Sequence, residues 1–190
     1  MTAEPSRVYD AVLARRSYSK VTPETPDTAE IERLLEAAAT AADHAGLAPW
    51  RVIELRGAAR ERLGDAFARV AMEGGADADA AESQRRKPLR AELLLAVVVS
   101  YRESPKVERW EQEAAAAGVA HLLTLLLDDA GWGAMWRSGQ ATRSAPVAAV
   151  HGLGVDEALL GWIYVGGRPD GIRRERHATV DLAEHHSVLE

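Results

Sequence analysis

Leu93-Leu94-Leu95-Ala96-Val97-Val98-Val99-Ser100-Tyr101 is the stretch on which the fold turns. Its aliphatic run, residues 93–99, is too short to span a bilayer, and its unbroken apolar character suits a strand buried on both faces. A strand of that kind needs helices over both sides of its sheet. A second firm strand is expected over residues 159–165, closing on Gly166 and Gly167, with weaker extended segments at 49–55 and 134–137.

The segments between read as helices, and the alternation makes the chain α+β. A short helix is expected over residues 8–15, and Pro23 and Pro26 separate it from a second that begins at Asp27. Asp27 and Glu30 fit a capping pair, followed by the stripe Ile31, Leu34, Leu35, Ala38, and this helix runs out near His44 and Gly46. Residues 58–72 read as a helix and 74–81 as a small-residue loop or weak helix. The longest helix spans 108–129, with Trp110, Ala114, Ala117, Ala120, Leu123 and Leu127 as its stripe and further apolar residues on both sides of it. A helix so apolar all round belongs in a domain or dimer core.

The 190 residues (20.5 kDa) suffice for one domain, 1–190, and no composition shift divides them. The net charge of −6 argues against a nucleic-acid footprint and for small-molecule partners. Absence of cysteine rules out disulfides, thiolate nucleophiles and cysteine metal knuckles and suits a reducing cytoplasm. The first seven residues lack the apolar core of a signal peptide, so a soluble protein with no membrane contact is expected.

No phosphate-binding lysine loop, zinc-protease histidine pair or dinucleotide glycine fingerprint is present. Asp181, Glu184 and His185 share one turn but lie in a polar tail, and no metal site is expected. Two other segments carry chemistry. Arg15, Arg16 and Ser17 can hold a phosphate by charge-assisted bonds, and Gly131-Trp132-Gly133-Ala134-Met135-Trp136-Arg137-Ser138-Gly139 lets backbone amides approach a flat ring. Each residue has a plainer role as well: terminal arginines complement a helix dipole, His44 can cap a helix, and Trp132 and Trp136 can be core. Arg137 is different, because an arginine inside an apolar strand needs an anionic or carbonyl partner.

These residues resemble the FMN-dependent nitroreductases, and within them a compact NAD(P)H nitroreductase branch. The resemblance runs over most of the chain in four ordered matches: Arg15-Arg16-Ser17; Asp43-His44 with Pro49-Trp50; Lys106-Val107-Glu108-Arg109-Trp110-Glu111-Gln112-Glu113; and Trp136-Arg137-Ser138-Gly139. Gly46 and Ala48 stand where the wider family carries an amide side chain, so backbone contacts would substitute there. Arg90-Ala91-Glu92 stands where alanine followed by proline is expected.

The resemblance implies a central mixed sheet flanked by helices, in a subunit of an intertwined homodimer. It implies an FMN site formed by Arg15, Arg16, Ser17, His44, Ala48, Trp136, Arg137 and Ser138, with His44 serving the flavin held chiefly by the other subunit's Arg15. The tail from about residue 177 would wrap the partner. Hydride would pass from NAD(P)H through FMN to a nitroaromatic, quinone or similar acceptor by a ping-pong cycle. No catalytic nucleophile or general acid is needed, and Arg137 or Lys87 would stabilise the reduced ring. Two other readings remain open on the residues alone: a flavin-storing or flavin-sensing module without turnover, and a helical interaction protein with no cofactor.

Overall fold

The computed structural model describes residues 7–171 and 180–189. The aliphatic stretch forms strand β2 (Leu93–Ser100), and all eight of its residues are buried. It pairs on one side with β1 (Trp50–Leu55) and on the other with β4 (Glu157–Gly167), which in turn pairs with β3 (Trp132–Arg137). The sheet order is therefore β1-β2-β4-β3.

Alternation along β2 explains its double burial. Leu93, Leu95 and Val97 face a layer made by α2 (Thr28–Ala38) and α5 (Arg109–Asp129), where they meet Ile31, Leu34, Val119, Leu123 and Leu127. Leu94, Ala96 and Val98 face α3 (Ala58–Glu73) and α6 (Ala145–His151), among Leu63, Phe67, Val147 and Trp162. Helix α4 (Ala78–Arg85) packs on α3, with Asp77 as its N-cap through a 2.8 Å bond from the Ala80 amide. Helix α1 (Arg7–Ala14) buries none of its residues.

Three expectations are corrected. The sheet is not mixed, since all three pairings are antiparallel. The cause is topological: β2 and β3 point the same way across α5, but β4 lies between them and opposes both. The second helix ends at Ala38, and His44–Gly46 is a separate 3-10 turn. The buried face of α5 is Gln112, Ala115, Ala116, Val119, Ala120, Leu123, Thr124, Leu127 and Asp128; it keeps Ala120, Leu123 and Leu127 of the expected stripe, whereas Ala114 is exposed and Trp110 is 68% exposed. A helix apolar all round does not reveal by periodicity which stripe meets the sheet.

The segment after α1 runs beside the outer edge of β3. The Tyr18 amide donates to the Ala134 carbonyl at 2.9 Å, and Thr22 bridges to Gly167 through a bond of the same length. Gly161, at the bulged part of β4, has φ +141°, and a Cβ there would lie 2.3 Å from the Arg137 carbonyl oxygen. Only glycine lets β3 and β4 approach so closely at this point.

Beneath Trp162, His151 is buried and neutral. Its Nε2 accepts the Trp162 indole N–H at 2.9 Å and its Nδ1–H donates to the Val147 carbonyl at 2.8 Å. Burial holds its pKa below the usual 6.5, outweighing the opposing bond to Val147. The unfolded chain therefore binds a proton at a pH where the folded chain does not. This contribution to stability is complete above the unfolded value and is lost as pH falls towards the folded one. Denaturant titrations at about pH 7.5 and about pH 5.5 should show a fall in stability that is smaller in His151→Gln; equal slopes in the two proteins would remove this role.

Candidate functional site

Arg15, Arg16 and Ser17 follow directly on α1, where the chain turns towards β3. Arg15 donates from Nη1 to Ser17 Oγ at 3.3 Å, which puts the guanidinium and the hydroxyl side by side. Arg16 donates to the Leu13 and Arg15 carbonyls at 2.7 and 2.8 Å, the helix-end role open to such a residue. Tyr18 then anchors the segment, stacked under Arg168 at 5.4 Å. Arg168 is itself ion-paired to Asp128 at 3.0 Å, in the last turn of α5.

On β3, Trp136 and Arg137 point to opposite faces. The Trp136 ring meets His121 of α5 edge-on at 5.1 Å. Arg137 lies over the Tyr164 ring at 5.2 Å and donates from Nη2 to the Ser19 carbonyl at 3.3 Å, tying β3 to the Arg15 segment. Its Nε is buried without an acceptor, and so is the Trp136 indole N–H. Leaving such a donor unmet costs about 1–3 kcal/mol, and on the face that Arg137 shares with Tyr164 its Nε marks a place for a group that can accept.

A cavity of about 730 Å³ opens beside this strand. Trp136, Arg137, Ser138 and Gly139 form one wall, Trp162 and Tyr164 lie at its sheet side, and α3, α4 and the turn Lys87–Arg90 close it opposite. The volume is in the range of cofactor and substrate pockets. Burial pushes the Tyr164 hydroxyl up to about 12, against the opposing charges of Arg137 and Arg90, so it stays protonated at neutral pH.

His44 and Ala48 lie elsewhere. His44 Nδ1 is 2.8 Å from Glu111 Oε2, in the first turn of α5. That bond, with a backbone bond at Glu108, holds the Glu111 carboxyl below its ordinary range. Trp136 meets α5 ten residues later at His121, about 15 Å along the axis, and the Arg168 anchor lies seventeen residues from Glu111, about 25 Å. Among the described residues no hydrogen bond or ring contact joins the His44 turn to the Arg15 segment.

The His44 turn is a loop in unusual backbone geometry. Ala45, Gly46 and Ala48 have φ of 64°, 62° and 44°, and Asp43 stabilises this loop by accepting the Ala48 amide at 2.6 Å. The Ala48 carbonyl in turn accepts from Trp50, so both backbone groups expected to replace an amide side chain are already used within the loop.

Lys106 to Glu113 proves to be scaffolding. Glu108 and Glu111 form a capping box at the start of α5, the Gln112 side chain bonds the Arg102 backbone on both sides, and Tyr101 bonds Glu113. The loop before β2 is held by Arg60, which donates to the Ala91 carbonyl and to Glu92 in place of the expected proline. Arg60 was not singled out from the sequence, and Asp43 was named only as part of a motif; the bonds they make depend on partners that folding brings near. Trp162 and Tyr164 were legible in principle: two aromatics at alternate positions of a strand share a face.

A family model described as the nitroreductase family matches residues 12–167. The chain is similar to "Putative NAD(P)H nitroreductase YdjA" of Escherichia coli K12, at 31% identity over 157 residues, 83% of this chain and 86% of that protein. A second relative, from Haemophilus influenzae, is 24% identical over 86% of this chain and 90% of its own length. Among solved structures, a nitroreductase-like family protein from Bacillus cereus superposes with a TM-score of 0.79 at 21% identity, covering 100% of this chain and 99% of that one. The FMN and NADPH-dependent nitroreductase NfnB from sphigopyxis sp. strain HMH gives 0.79 at 21%, covering 97% and 100%.

Proposed function

Since the chain belongs to the nitroreductase family and has its fold, we propose that it is an FMN-dependent oxidoreductase carrying hydride from NAD(P)H to nitroaromatic, quinone or similar acceptors by a ping-pong cycle. The observation that carries this reading is Arg137, whose buried Nε lacks an acceptor at the wall of a cofactor-sized cavity and whose Nη2 is tied to the Arg15 segment. Bound FMN would supply the two-electron chemistry.

The chain's own residues place and polarise. Arg15, supported by Ser17 and Arg16, holds the phosphate. Trp136, Arg137 and Ser138 line the ring, and Arg137 or Lys87 offers positive charge where the reduced ring carries negative charge. No side chain acts as a nucleophile, and the tail from Asp181 takes no part.

The working unit is a single-domain subunit paired in a cytoplasmic homodimer, with no nucleic-acid or membrane partner. Support comes from exposed apolar surface. Val8, Tyr9, Val12 and Leu13 of α1 are more than half exposed, and Trp110 begins a second, outward stripe of α5 through Ala114. Two copies of α5 related by a two-fold axis run antiparallel, which brings one chain's first turn, with His44 and Ala48, towards its partner's Trp136 and Arg15. In the tail assigned to wrapping the partner, residues 177–179 lie outside the described residues, and 180–189 are exposed. Among the described residues no helix is long and apolar enough to cross a membrane.

Ala48, with both backbone groups used internally, favours a second reading as a flavin store. Anaerobic mixing separates the two. NADH or NADPH alone should bleach the yellow protein, and a quinone or nitroaromatic should restore the colour, with parallel double-reciprocal lines in steady state. Arg137→Ala should slow the bleaching without abolishing FMN binding. If neither nucleotide bleaches the protein, the storage reading replaces this one.

A further inference from the structure

In the α3–α4 layer the arginines are mostly paired: Arg60 with Glu92, Arg69 with Glu73, Arg85 with Asp65 and Arg86 with Glu82. Lys87 and Arg90, on the turn that follows, break the pattern. Among the described residues neither has an ion-pair or hydrogen-bond partner, and both line the cavity. Arg137 is a third cation there, while among the described residues no aspartate or glutamate lines it, in a chain whose net charge is −6. Much of the remaining lining is apolar, with small groups at Ala71, Gly74, Ala76 and Ala80 and larger ones at Phe67, Met135 and Trp162, while Gln84, Ser138 and Gln140 are neutral polar groups. Such a wall leaves room for a flat ring, and the unpaired cations favour an anionic substituent on it.

Building on the oxidoreductase reading, we propose that the space this cavity leaves beside the flavin takes the electron acceptor as an aromatic carboxylate or sulfonate, its anionic group on Arg90. With a nitroarene the balance is simple. NAD(P)H gives up a hydride, which is two electrons and one hydrogen, and the solvent gives one proton; the nitro group loses an oxygen as water, and the products are the nitrosoarene, NAD(P)+ and water. Arg90 takes no part in the electron transfer; it sets which acceptors are held.

The test uses naphthalene-2-carboxylate and its neutral amide, which cannot be reduced under these conditions, titrated calorimetrically into FMN-loaded and FMN-stripped protein. The carboxylate should bind about fivefold tighter than the amide to both forms, the effect of a partly screened charge contact. Arg90→Gln should bring that preference below about twofold while FMN content stays the same. It should lower the kcat/KM ratio of 4-nitrobenzoate over 4-nitrobenzamide by a similar factor, because the intrinsic reactivities of the two cancel between proteins. Equal binding of acid and amide to the unaltered protein overturns the proposal, as does a preference that survives in Arg90→Gln. Displacement of the carboxylate by FMN also overturns it, by assigning the cations to the flavin. A yellow protein that NAD(P)H bleaches but that shows no carboxylate preference defeats this inference alone; a colourless protein that keeps the preference defeats the oxidoreductase reading, and the acceptor role with it.

Discussion

Arg15→Ala should weaken FMN binding by about ten- to a hundredfold and leave riboflavin nearly unaffected. The two ligands differ only in the phosphate, so the comparison isolates one contact. A guanidinium to phosphate interaction is charge-assisted, and each such bond contributes about 1.5–3 kcal/mol, which sets the range. Arg15 is prepared for the role by its bond to Ser17 Oγ, which places a hydroxyl donor beside the guanidinium, while Arg16 is bonded to the carbonyls at the end of α1. Arg15→Lys should recover part of the affinity, because the charge remains but the planar fork is lost. Quenching of flavin fluorescence on titration reads all of these directly. An equal loss for FMN and riboflavin would show that the residue supports the fold of the segment rather than the phosphate.

The second large effect concerns two residues that a single chain keeps apart. His44 is held at the first turn of α5 by Glu111, and the Arg15 segment is anchored near its last turn through Tyr18, Arg168 and Asp128. If each flavin is shared across a dimer, homodimers of Arg15→Ala and of His44→Ala each have two damaged sites. Heterodimers of the two variants then carry one intact and one doubly damaged site. Co-expression with two different affinity tags should yield heterodimers that bind one tight FMN per dimer and regain about half of the unaltered activity. A heterodimer with two weakened sites and no tight one would place both residues on the same subunit's flavin. A monomeric protein by sedimentation would sink the shared site altogether.

Much of the fold was legible because its signals are local. An unbroken aliphatic run cannot leave either face in water, so residues 93–99 demanded helices on both sides, and the structure supplies α2 with α5 and α3 with α6. Asp27 caps α2 through the Glu30 amide, a bond between residues three apart that sequence alone can foresee. The resemblance read from four short motifs likewise led to the family that the comparisons identify. Local signals stop where partners come from far along the chain. Whether β2 and β3 pair depends on where β4 inserts, and the buried stripe of α5 depends on which side meets the sheet; neither is encoded in a window of neighbouring residues. The same holds at the site. That Arg137 should need a partner followed from burying a charge in a strand, but that its Nη2 would meet Ser19, its ring neighbour would be Tyr164 and its Nε would be left without an acceptor was decided by tertiary packing alone. The bond of Asp43 to Ala48 and the whole role of Arg60 were invisible for the same reason, since a side chain that holds a distant or contorted backbone looks, in sequence, like any other surface charge.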